Sequence, residues 1–284
     1  MMKKILENGT YTGERALFMS KGIHFFNAVF EDGESPLKES SDIDLDNSEF
    51  RWKYPLWYCQ NVKCTKVSFL ETARSGIWYT KHIRMIDCNI EAPKTFRRSE
   101  DIDLISVQLP NASETLWKCK GVKINHVYAK GDYFGFNSEN IEIEDLYLDG
   151  NYCFDGGKNI IIRNSTLYSK DSFWNCENVT VINSTIVGEY LAWNCKNITF
   201  INCKITSHQG LCYIEGLKLI NCELIDTDLC FEYCSDIDAN IINVIDSIKN
   251  PTSGVIRAKG VKELILEEDK IDISKTKIIV GYEN

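Results

Sequence analysis

Eight polar or aromatic residues recur at similar intervals along the chain, and their side chains have the chemistry of a binding groove. Most of them donate hydrogen bonds, and the two cations among them attract carboxylates. A line of such groups predicts a groove that binds an extended acidic glycan, without giving any residue a catalytic role. The candidate groove residues are Tyr58, Tyr79, Arg97, Lys118, Asn137, Asp155, Asn175 and Asn194.

The elements that position these residues repeat along the chain. Each candidate follows a recurring position, the repeat head, which is aromatic in eleven of twelve cases. Self-similarity at a short, nearly fixed period, here roughly 18–21 residues, is typical of a solenoid in which each repeat forms one coil. The sequence therefore predicts about 12 coils of about 18–21 residues. The heads are Phe18, Leu37, Trp57, Trp78, Phe96, Trp117, Phe136, Phe154, Trp174, Trp193, Tyr213 and Phe231.

Each repeat contains short strands that meet at polar corners. Segments such as 179–181 and 198–200 alternate apolar and polar residues with a period of two, and no segment sustains a helical period. One corner carries an asparagine in four successive repeats, at a constant interval. Asparagine tolerates the left-handed backbone conformation, and its amide can bond its counterpart on the next coil. This spacing predicts an internal asparagine ladder. Its members are Asn164, Asn183, Asn202 and Asn221.

These repeats resemble the right-handed parallel β-helices of the pectin-lyase-like superfamily. More narrowly, the segment 56–59 and the Asn-Cys and Asn-Ser corners resemble a bacterial family known only as a domain of unknown function, number 3737. The resemblance covers nearly the whole chain. It implies an all-β fold, a right-handed parallel β-helix solenoid, and implies little about activity.

The heads are predicted to point into the coil. Residues two positions after a head share its side of a strand, and most of them are small, as is usual in an interior. An exposed column of tryptophans would also form an unusually large apolar patch. With the heads inside, the candidate groove faces solvent. The small residues are Cys59, Thr80, Cys119, Ser138, Gly156, Cys176 and Cys195. A simple alternation does not explain why the position before the head is often apolar, at Leu56, Ile77, Leu116 and Phe173.

The resemblance implies two kinds of function. Hydrolases of the superfamily use paired aspartates with a Gly-His-Gly motif, and the sequence has no such triplet. Its lyases combine calcium-binding acids with a basic residue, and only Arg97, Lys118 and Asp155 approach that pattern. The sequence favours a non-catalytic scaffold that binds a glycan or a protein. The alternative is a carbohydrate-active enzyme, a polysaccharide lyase or a glycoside hydrolase, with its site on one face. Catalytic residues are not assigned.

Composition restricts the classes of binding partner and the cellular compartment that we expect. A net charge of −9 disfavours nucleic acid and anionic membranes as partners, which leaves an oligosaccharide or a protein. No cofactor and no metal site are expected. The twelve cysteines replace Ser, Thr or Gly at matching repeat positions, which indicates small buried thiols rather than disulfides. With no apolar run near residue 1, a cytoplasmic location is predicted.

The repeats predict a single β-helix domain over residues 1–284. Residues 1–17 are expected to form an N-terminal cap and residues 18–248 the coils. Residues 249–284 are expected to form a last degenerate coil and a C-terminal cap, because exposed coil ends are open sheet edges that terminal segments usually cover.

Overall fold

The computed structural model describes residues 3–281 and is a parallel β-helix of about 15 turns. This confirms the predicted fold class. The turns outnumber the predicted 12 because segments expected to act as caps also pair as coils. Lys4–Glu7 pairs in parallel with Lys21–Phe26, and Thr276–Val280 pairs with Gly254–Ile265. The chain forms two compact units, Met1–Tyr147 and Leu148–Asn284, called unit 1 and unit 2 below.

Unit 1 is built from long strands that stack in parallel register. Ile83, for example, pairs with Val62 on one side and Ile102 on the other. The long strands are Lys4–Glu7, Lys21–Phe26, Ser41–Asp46, Gln60–Thr65, Lys81–Ile86, Glu100–Ile105, Lys120–Lys130 and Glu139–Asp149, the last of which extends past Tyr147. Shorter strands follow the corners at Thr10–Tyr11, Val29–Phe30, Glu49–Phe50, Ser68–Phe69, Asn89–Ile90 and Gln108–Leu109. A third pair, Ile77–Trp78 and Phe96–Arg97, carries two repeat heads, and a 3-10 turn spans Glu71–Ala73.

Unit 2 repeats the same pattern with a more constant step. Val179 pairs with Ile160 and with Ile198, which lie at equal intervals before and after it in the sequence. Its long strands are Lys158–Arg163, Glu177–Ile182, Lys196–Ile201, Glu215–Leu224, Ile237–Lys249 and Gly254–Ile265. The remaining strands are Thr166–Tyr168, Thr185–Val187, Lys204–Thr206 and Thr276–Val280, and a 3-10 turn spans Ile273–Lys275.

The asparagine ladder forms in unit 2, and it is exposed rather than internal. Asn183 and Asn202 have φ values of 50° and 51°, the left-handed conformation expected at a tight corner. The amide of Asn183 donates to Asn164 over 3.3 Å, and Asn202 donates to Asn183 over 3.1 Å. The amides point outward because the corner turns its side chains away from the core. A second ladder, missed in the sequence, joins Asn159, Asn178 and Asn197.

The core is a set of inward-facing columns. In unit 1, Phe50 stacks between Phe30 at 4.4 Å and Phe69 at 4.9 Å. In unit 2, Phe154 stacks on Phe173 at 5.6 Å. All five of these rings are at most 1% exposed. Stacked rings of this kind add to the burial of their apolar area.

The twelve cysteines are all buried and free, which confirms the expectation of small interior thiols. Their role is more specific than filling space. The thiol of Cys195 donates to the carbonyl of Phe173 over 2.7 Å, and that of Cys176 donates to Phe154 over 2.9 Å. In unit 1, the hydroxyl of Ser138 donates to Leu116 over 2.6 Å in the same way. Burial raises the pKa of the Cys176 thiol well above its ordinary value and raises that of Cys119 to about 12.

Part of the predicted caps, residues 1, 2 and 282–284, lies outside the described residues. In unit 2, Ile237 pairs with Gly254 and Lys249 with Ile265, with a shift of register between Ile241 and Val244. The single continuous domain stays a prediction.

Candidate functional site

Eight of the twelve repeat heads are half-buried or exposed, so the prediction that the heads point inward is wrong for them; it holds for Leu37, Phe96, Phe154 and Phe231, which are fully buried. Trp57, Trp78, Trp117, Trp174 and Trp193 are all half-buried, whereas the residue before each of them is buried. The inward side chain is the apolar one that precedes the head. We call the half-buried positions the outer column and the positive-φ positions that follow them the corner column.

Arg97 belongs to the outer column. The sequence analysis had placed the repeat head of this coil one residue earlier, at Phe96. The amide of Tyr79 donates to the carbonyl of Arg97, as the amide of Tyr58 donates to Trp78. Phe96 is instead fully buried. The corner after Arg97 is Arg98, with φ of 50°. The same shift applies in unit 2, where Phe154 is fully buried and Asp155 takes the outer position.

The outer column of unit 1 is a continuous stack. Trp57 and Trp78 lie 5.1 Å apart with their planes 8° from parallel. The guanidinium of Arg97 lies 4.7 Å from the Trp78 ring centre and 5.1 Å from that of Trp117. Trp117 then contacts Phe136 at 4.2 Å. Arg97 therefore replaces a ring in the stack and is held by cation–π contacts on both faces.

A carboxylate that is shared with Lys94 fixes the guanidinium further. The Arg97 Nη2 donates to Glu114 Oε2 over 3.1 Å, and Lys94 Nζ lies 3.0 Å from the other oxygen of that carboxylate. The Arg97 Nε is buried without a hydrogen-bond partner among the described residues. Glu114 thus neutralises part of a local excess of positive charge, and the guanidinium has little freedom to move.

The corner column of unit 1 carries exposed polar groups. Tyr58 is 46% exposed and stacks on Tyr79 at 4.7 Å, with planes 7° apart. Lys38 Nζ lies 5.7 Å from the Tyr58 ring centre. Arg98 and Lys118 follow on the next two coils and are exposed. Within residues 3–281 neither makes an ion pair. Asn137, also a predicted groove residue, is exposed at its corner with φ of 50°.

In unit 2 the same two columns are neutral or acidic. Trp174 and Trp193 stack at 5.6 Å with planes 4° apart, and the Trp174 indole donates to the carbonyl of Tyr190 over 2.7 Å. The predicted groove residues Asn175 and Asn194 occupy the corners and are exposed. Asn175 Nδ2 donates to Asp155 Oδ1 over 3.0 Å.

A buried acid lies near this part of unit 2. Asp171 is 4% exposed. Burial raises the pKa of its carboxyl, Lys170 opposes that rise, and Glu189 and Asp155 reinforce it. The sequence did not single out Asp171. The sequence feature that could have identified Asp171 is a carboxylate at a corner position that Tyr190 occupies on the next coil.

Nearly the whole described sequence matches one family model. Residues 4–279 match the family described as "Protein of unknown function (DUF3737)". The chain belongs to this family. No curated protein matches the sequence. The family membership agrees with the resemblance stated from the repeats, and it assigns no activity.

Several solved structures are similar to this family member, all at low identity. The surface adhesin PfbA of Streptococcus pneumoniae is 10% identical, with a TM-score of 0.37 over 82% of this chain and 76% of that one. The mannuronan C-5 epimerase AlgE4 A-module of Azotobacter vinelandii is 10% identical, with a TM-score of 0.30 over 99% and 88%. The fluoroquinolone resistance protein QnrB1 is 15% identical, with a TM-score of 0.27 over 79% and 91%. At these scores none of them carries an argument about function.

The four histidines of this family member have a common role that sequence reasoning missed. Each lies within hydrogen-bond distance of an aspartate on the following coil. The pairs are His24–Asp46 at 2.5 Å, His82–Asp101 at 2.9 Å, His126–Asp145 at 2.6 Å and His208–Asp228 at 2.8 Å. Comparing each residue with its counterpart one repeat later would have found three of them, whereas the counterpart of His24 is Asp44 and its partner Asp46 lies two residues further along that strand.

The described part of the chain offers neither a metal cluster nor a membrane-spanning helix. Between residues 3 and 281, no three His, Cys, Asp or Glu side chains are grouped so that they could hold a metal ion. In the same range no helix is long and apolar enough to span a bilayer.

Proposed function

We propose that this protein is a non-catalytic scaffold that binds an extended acidic glycan along the corner column of unit 1. The observation that carries the proposal is the exposure of Arg98 and Lys118 on successive coils without an anionic partner among the described residues. Carboxylates on a ligand would pair with them.

The stacking of the rings determines how such a ligand binds. A free aromatic face packs well against a sugar ring, but the faces of Trp78 and Tyr58 are already covered by groups on neighbouring coils. The ring edges and the tyrosine hydroxyls are what remain for solvent. Binding would therefore depend on hydrogen bonds and charge, with little contribution from ring stacking.

The spacing of the coils suits a polymer. Successive coils are separated by the parallel-strand spacing of about 4.8 Å, which is close to the advance of one pyranose in an extended chain. Arg98 and Lys118 have long, flexible side chains that can follow small differences in step. A uronate chain would place carboxylates at intervals that both cations can reach.

Binding of a defined uronate oligosaccharide, measured by calorimetry, tests this proposal. The variant Arg98→Asn with Lys118→Asn keeps a residue that Asn137 shows is suited to this corner. We expect it to weaken binding at least tenfold. The control, Lys63→Asn with Lys66→Asn, removes the same charge from an exposed part of unit 1 that makes no ion pair with any described residue, and should bind like the parent. Salt should weaken the parent's binding.

Three results would contradict the proposal. They are equal affinities of both double variants, an affinity independent of salt, and binding of an acidic peptide with no binding of any acidic glycan. The first two results would show that the two cations do not contribute to binding. The third would show that the ligand is not a glycan.

A second candidate function is favoured by Asp171. A general acid in glycan cleavage needs a raised pKa, and a second carboxylate must lie near it. Asp171 is buried, with Asp155 and Glu189 close enough to affect its charge. The alternative is thus a carbohydrate-active enzyme with its site in unit 2. Release of new chain ends from a polyuronate by the parent, abolished in Asp171→Asn, would support it. An inactive parent would exclude cleavage of that substrate.

A further inference from the structure

A shallow groove runs along unit 2 between two outward rows of side chains. On one coil, Asn178 and Thr180 form its two sides, and the buried Val179 lies beneath it. The groove encloses about 410 Å³, within the range of small-ligand sites, roughly 300–1,000 Å³. We call it the amide groove. It is lined by Asn159, Asn178 and Asn197 on one side and by Ile161, Thr180 and Thr199 on the other.

A ladder of hydrogen bonds holds the amides of the groove in fixed orientations. Asn178 Nδ2 donates to Asn159 Oδ1 over 3.1 Å, and Asn197 Nδ2 donates to Asn178 Oδ1 over 3.1 Å. Each Nδ2 carries two N–H bonds, and the ladder uses one of them. The second N–H of Asn178 and of Asn197 is left to donate to a ligand. Because the ladder orients these amides in advance, a ligand would lose little affinity to the ordering of side chains.

Gly216 ends the ladder and leaves an acceptor uncovered. This glycine follows Asn197 on the next coil and has a φ of 77°, which strains any other residue type. A Cβ at this position would lie 2.8 Å from Asn197 Oδ1. Within residues 3–281 no group donates a hydrogen bond to that oxygen. Asn197 therefore presents both a donor and an acceptor at this end of the groove.

The opposite side of the groove adds hydroxyl groups. Thr180 and Thr199 are half-buried and lie in parallel register on neighbouring coils. In the part of the chain that the structure describes, neither hydroxyl has a hydrogen-bond partner. Ile161 precedes them in this row, and the exposed Lys218 follows them. The row is therefore apolar at one end, carries two hydroxyls at its centre, and ends beside a cation.

The chemistry of the lining favours a neutral ligand. All of the lining residues are uncharged. The charged residues beside the asparagines pair with one another, Lys158 with Glu177 at 2.9 Å and Lys196 with Glu215 at 4.0 Å. A charged ligand would lose hydration without gaining an opposite charge from the lining. A neutral ligand rich in hydroxyl groups both donates to and accepts from amides and hydroxyls.

We propose that the amide groove binds a neutral, linear glycan whose sugars follow the stack of coils. Successive coils lie about 4.8 Å apart, close to the advance of one pyranose in an extended chain, whereas a peptide strand advances about 3.3 Å per residue. Asn159 and Asn197 are two coils apart, or about 10 Å, so a trisaccharide spans the groove. The corner column proposed for an acidic glycan belongs to unit 1, and the two sites are independent.

The equivalent groove of unit 1 has a different lining. Its rows include Asp101 and Asp103, and it encloses about 360 Å³. Both carboxylates are already engaged, since Asp101 lies 2.9 Å from His82 and Asp103 lies 3.4 Å from Arg84. In the amide groove the corresponding positions carry amides and hydroxyls with unused hydrogen-bonding capacity. The two grooves therefore share a shape and differ in what their polar groups are free to bind.

Calorimetric titration of the intact protein with cellotriose, β-1,4-mannotriose and xylotriose tests the proposal, and we expect at least one of them to bind. Thr180→Val with Thr199→Val removes both hydroxyls while keeping the branched shape, and it should weaken binding at least tenfold. The matched control is Thr166→Val with Thr185→Val. It changes two half-buried, paired threonines outside the groove and should bind like the parent. Failure of all three sugars to bind, or equal affinities of the two double variants, would overturn the proposal.

A second pair of variants tests the amide side. Asn178→Gly removes the central amide and keeps the left-handed corner, whose φ is 58°, and it should weaken binding at least fivefold. Asn183→Gly makes the same change in the other ladder, where φ is 50°, and should bind like the parent. Equal affinities of these two variants would exclude the asparagine row from the site. None of these outcomes depends on whether a uronate binds unit 1.

Discussion

The two units use the same outer position for opposite charges. In unit 1 the position between two tryptophans is taken by Arg97, whose guanidinium contacts both rings. In unit 2 the position before Trp174 is taken by Asp155, whose carboxylate accepts a hydrogen bond from Asn175. The coil fixes the position in space, and the residue type at that position determines the charge. Function in this fold is therefore to be sought in departures from the repeat, because the repeat itself is devoted to stability.

The largest effect should come from the inward rings of either unit. Phe96→Ala in unit 1 and Phe173→Ala in unit 2 remove fully buried side chains and leave cavities. Each should lower the free energy of unfolding by about 3–5 kcal/mol, measured by denaturant titration. The half-buried Trp174→Ala should cost less, about 2 kcal/mol, through one ring contact and one hydrogen bond. A larger loss at Trp174 than at Phe173 would reverse our assignment of inward and outward columns.

Substitution of Arg97 should have the next largest effect on stability. Its comparison with Asp155 contrasts the outer columns of the two units. Arg97→Ala removes two cation–π contacts and leaves Glu114 with one cation fewer, for a loss of about 2 kcal/mol. Asp155→Ala removes one exposed hydrogen bond and should cost about 0.5 kcal/mol. Thermal unfolding of both variants measures the contrast. Arg97→Trp should recover part of the loss by continuing the ring stack. Equal losses of stability at Arg97 and Asp155 would mean that the cation–π contacts of Arg97 with the two tryptophans do not stabilise the protein.

The exposed ladder in unit 2 should give a smaller effect. Asn183→Ala removes two ladder hydrogen bonds and puts alanine at a φ of 50°, so we expect a loss of about 1–2 kcal/mol. Asn183→Gly keeps the corner without strain and isolates the hydrogen bonds. If the glycine variant unfolds like the parent while alanine does not, the corner conformation outweighs the ladder. Identical behaviour of all three proteins would show that neither matters.

The smallest effect, and the only stabilising one, should come from Asp171→Asn. Burial raises the pKa of Asp171 in the folded state, so the ionised form is less favourable there than in the unfolded chain. At neutral pH that ionisation destabilises the fold, and asparagine removes the charge while tolerating the φ of 55°. The gain, measured by denaturant titration at several pH values, should shrink as pH falls through the raised pKa and vanish below the ordinary carboxyl pKa. A gain that is constant with pH would assign it to another cause.

The sequence predicted the coils because local periodicity carries that information. The constant spacing of the four asparagines reports directly on parallel register, and the structure pairs them as expected. The orientation of the heads could not be read from residue type, since a stacked indole can be half-exposed when neighbouring rings cover its faces. The better signal was the buried residue before each head, such as Leu56 and Ile77.

The site was predicted less completely because residue type was followed where spacing was the better guide. Choosing Phe96 as a head makes the steps from Trp78 and to Trp117 unequal, whereas Arg97 makes them nearly equal. The even spacing places Arg98 at the corner. The stacking around Arg97 and the burial of Asp171 depend on contacts between coils. Such contacts become visible only when the register is correct.

Lys158, Glu177, Lys196 and Glu215 form a row of alternating charge on four successive coils of unit 2, and this row limits how this protein can change length. Excising one coil, residues 177–195, would keep every inward column continuous, since Glu177 is in register with Lys196. It would also bring Lys158 next to Lys196, and like charges would then meet. Removing or duplicating two coils avoids this conflict. A protein shortened by two coils should therefore keep its alternating charges, whereas one shortened by a single coil should not.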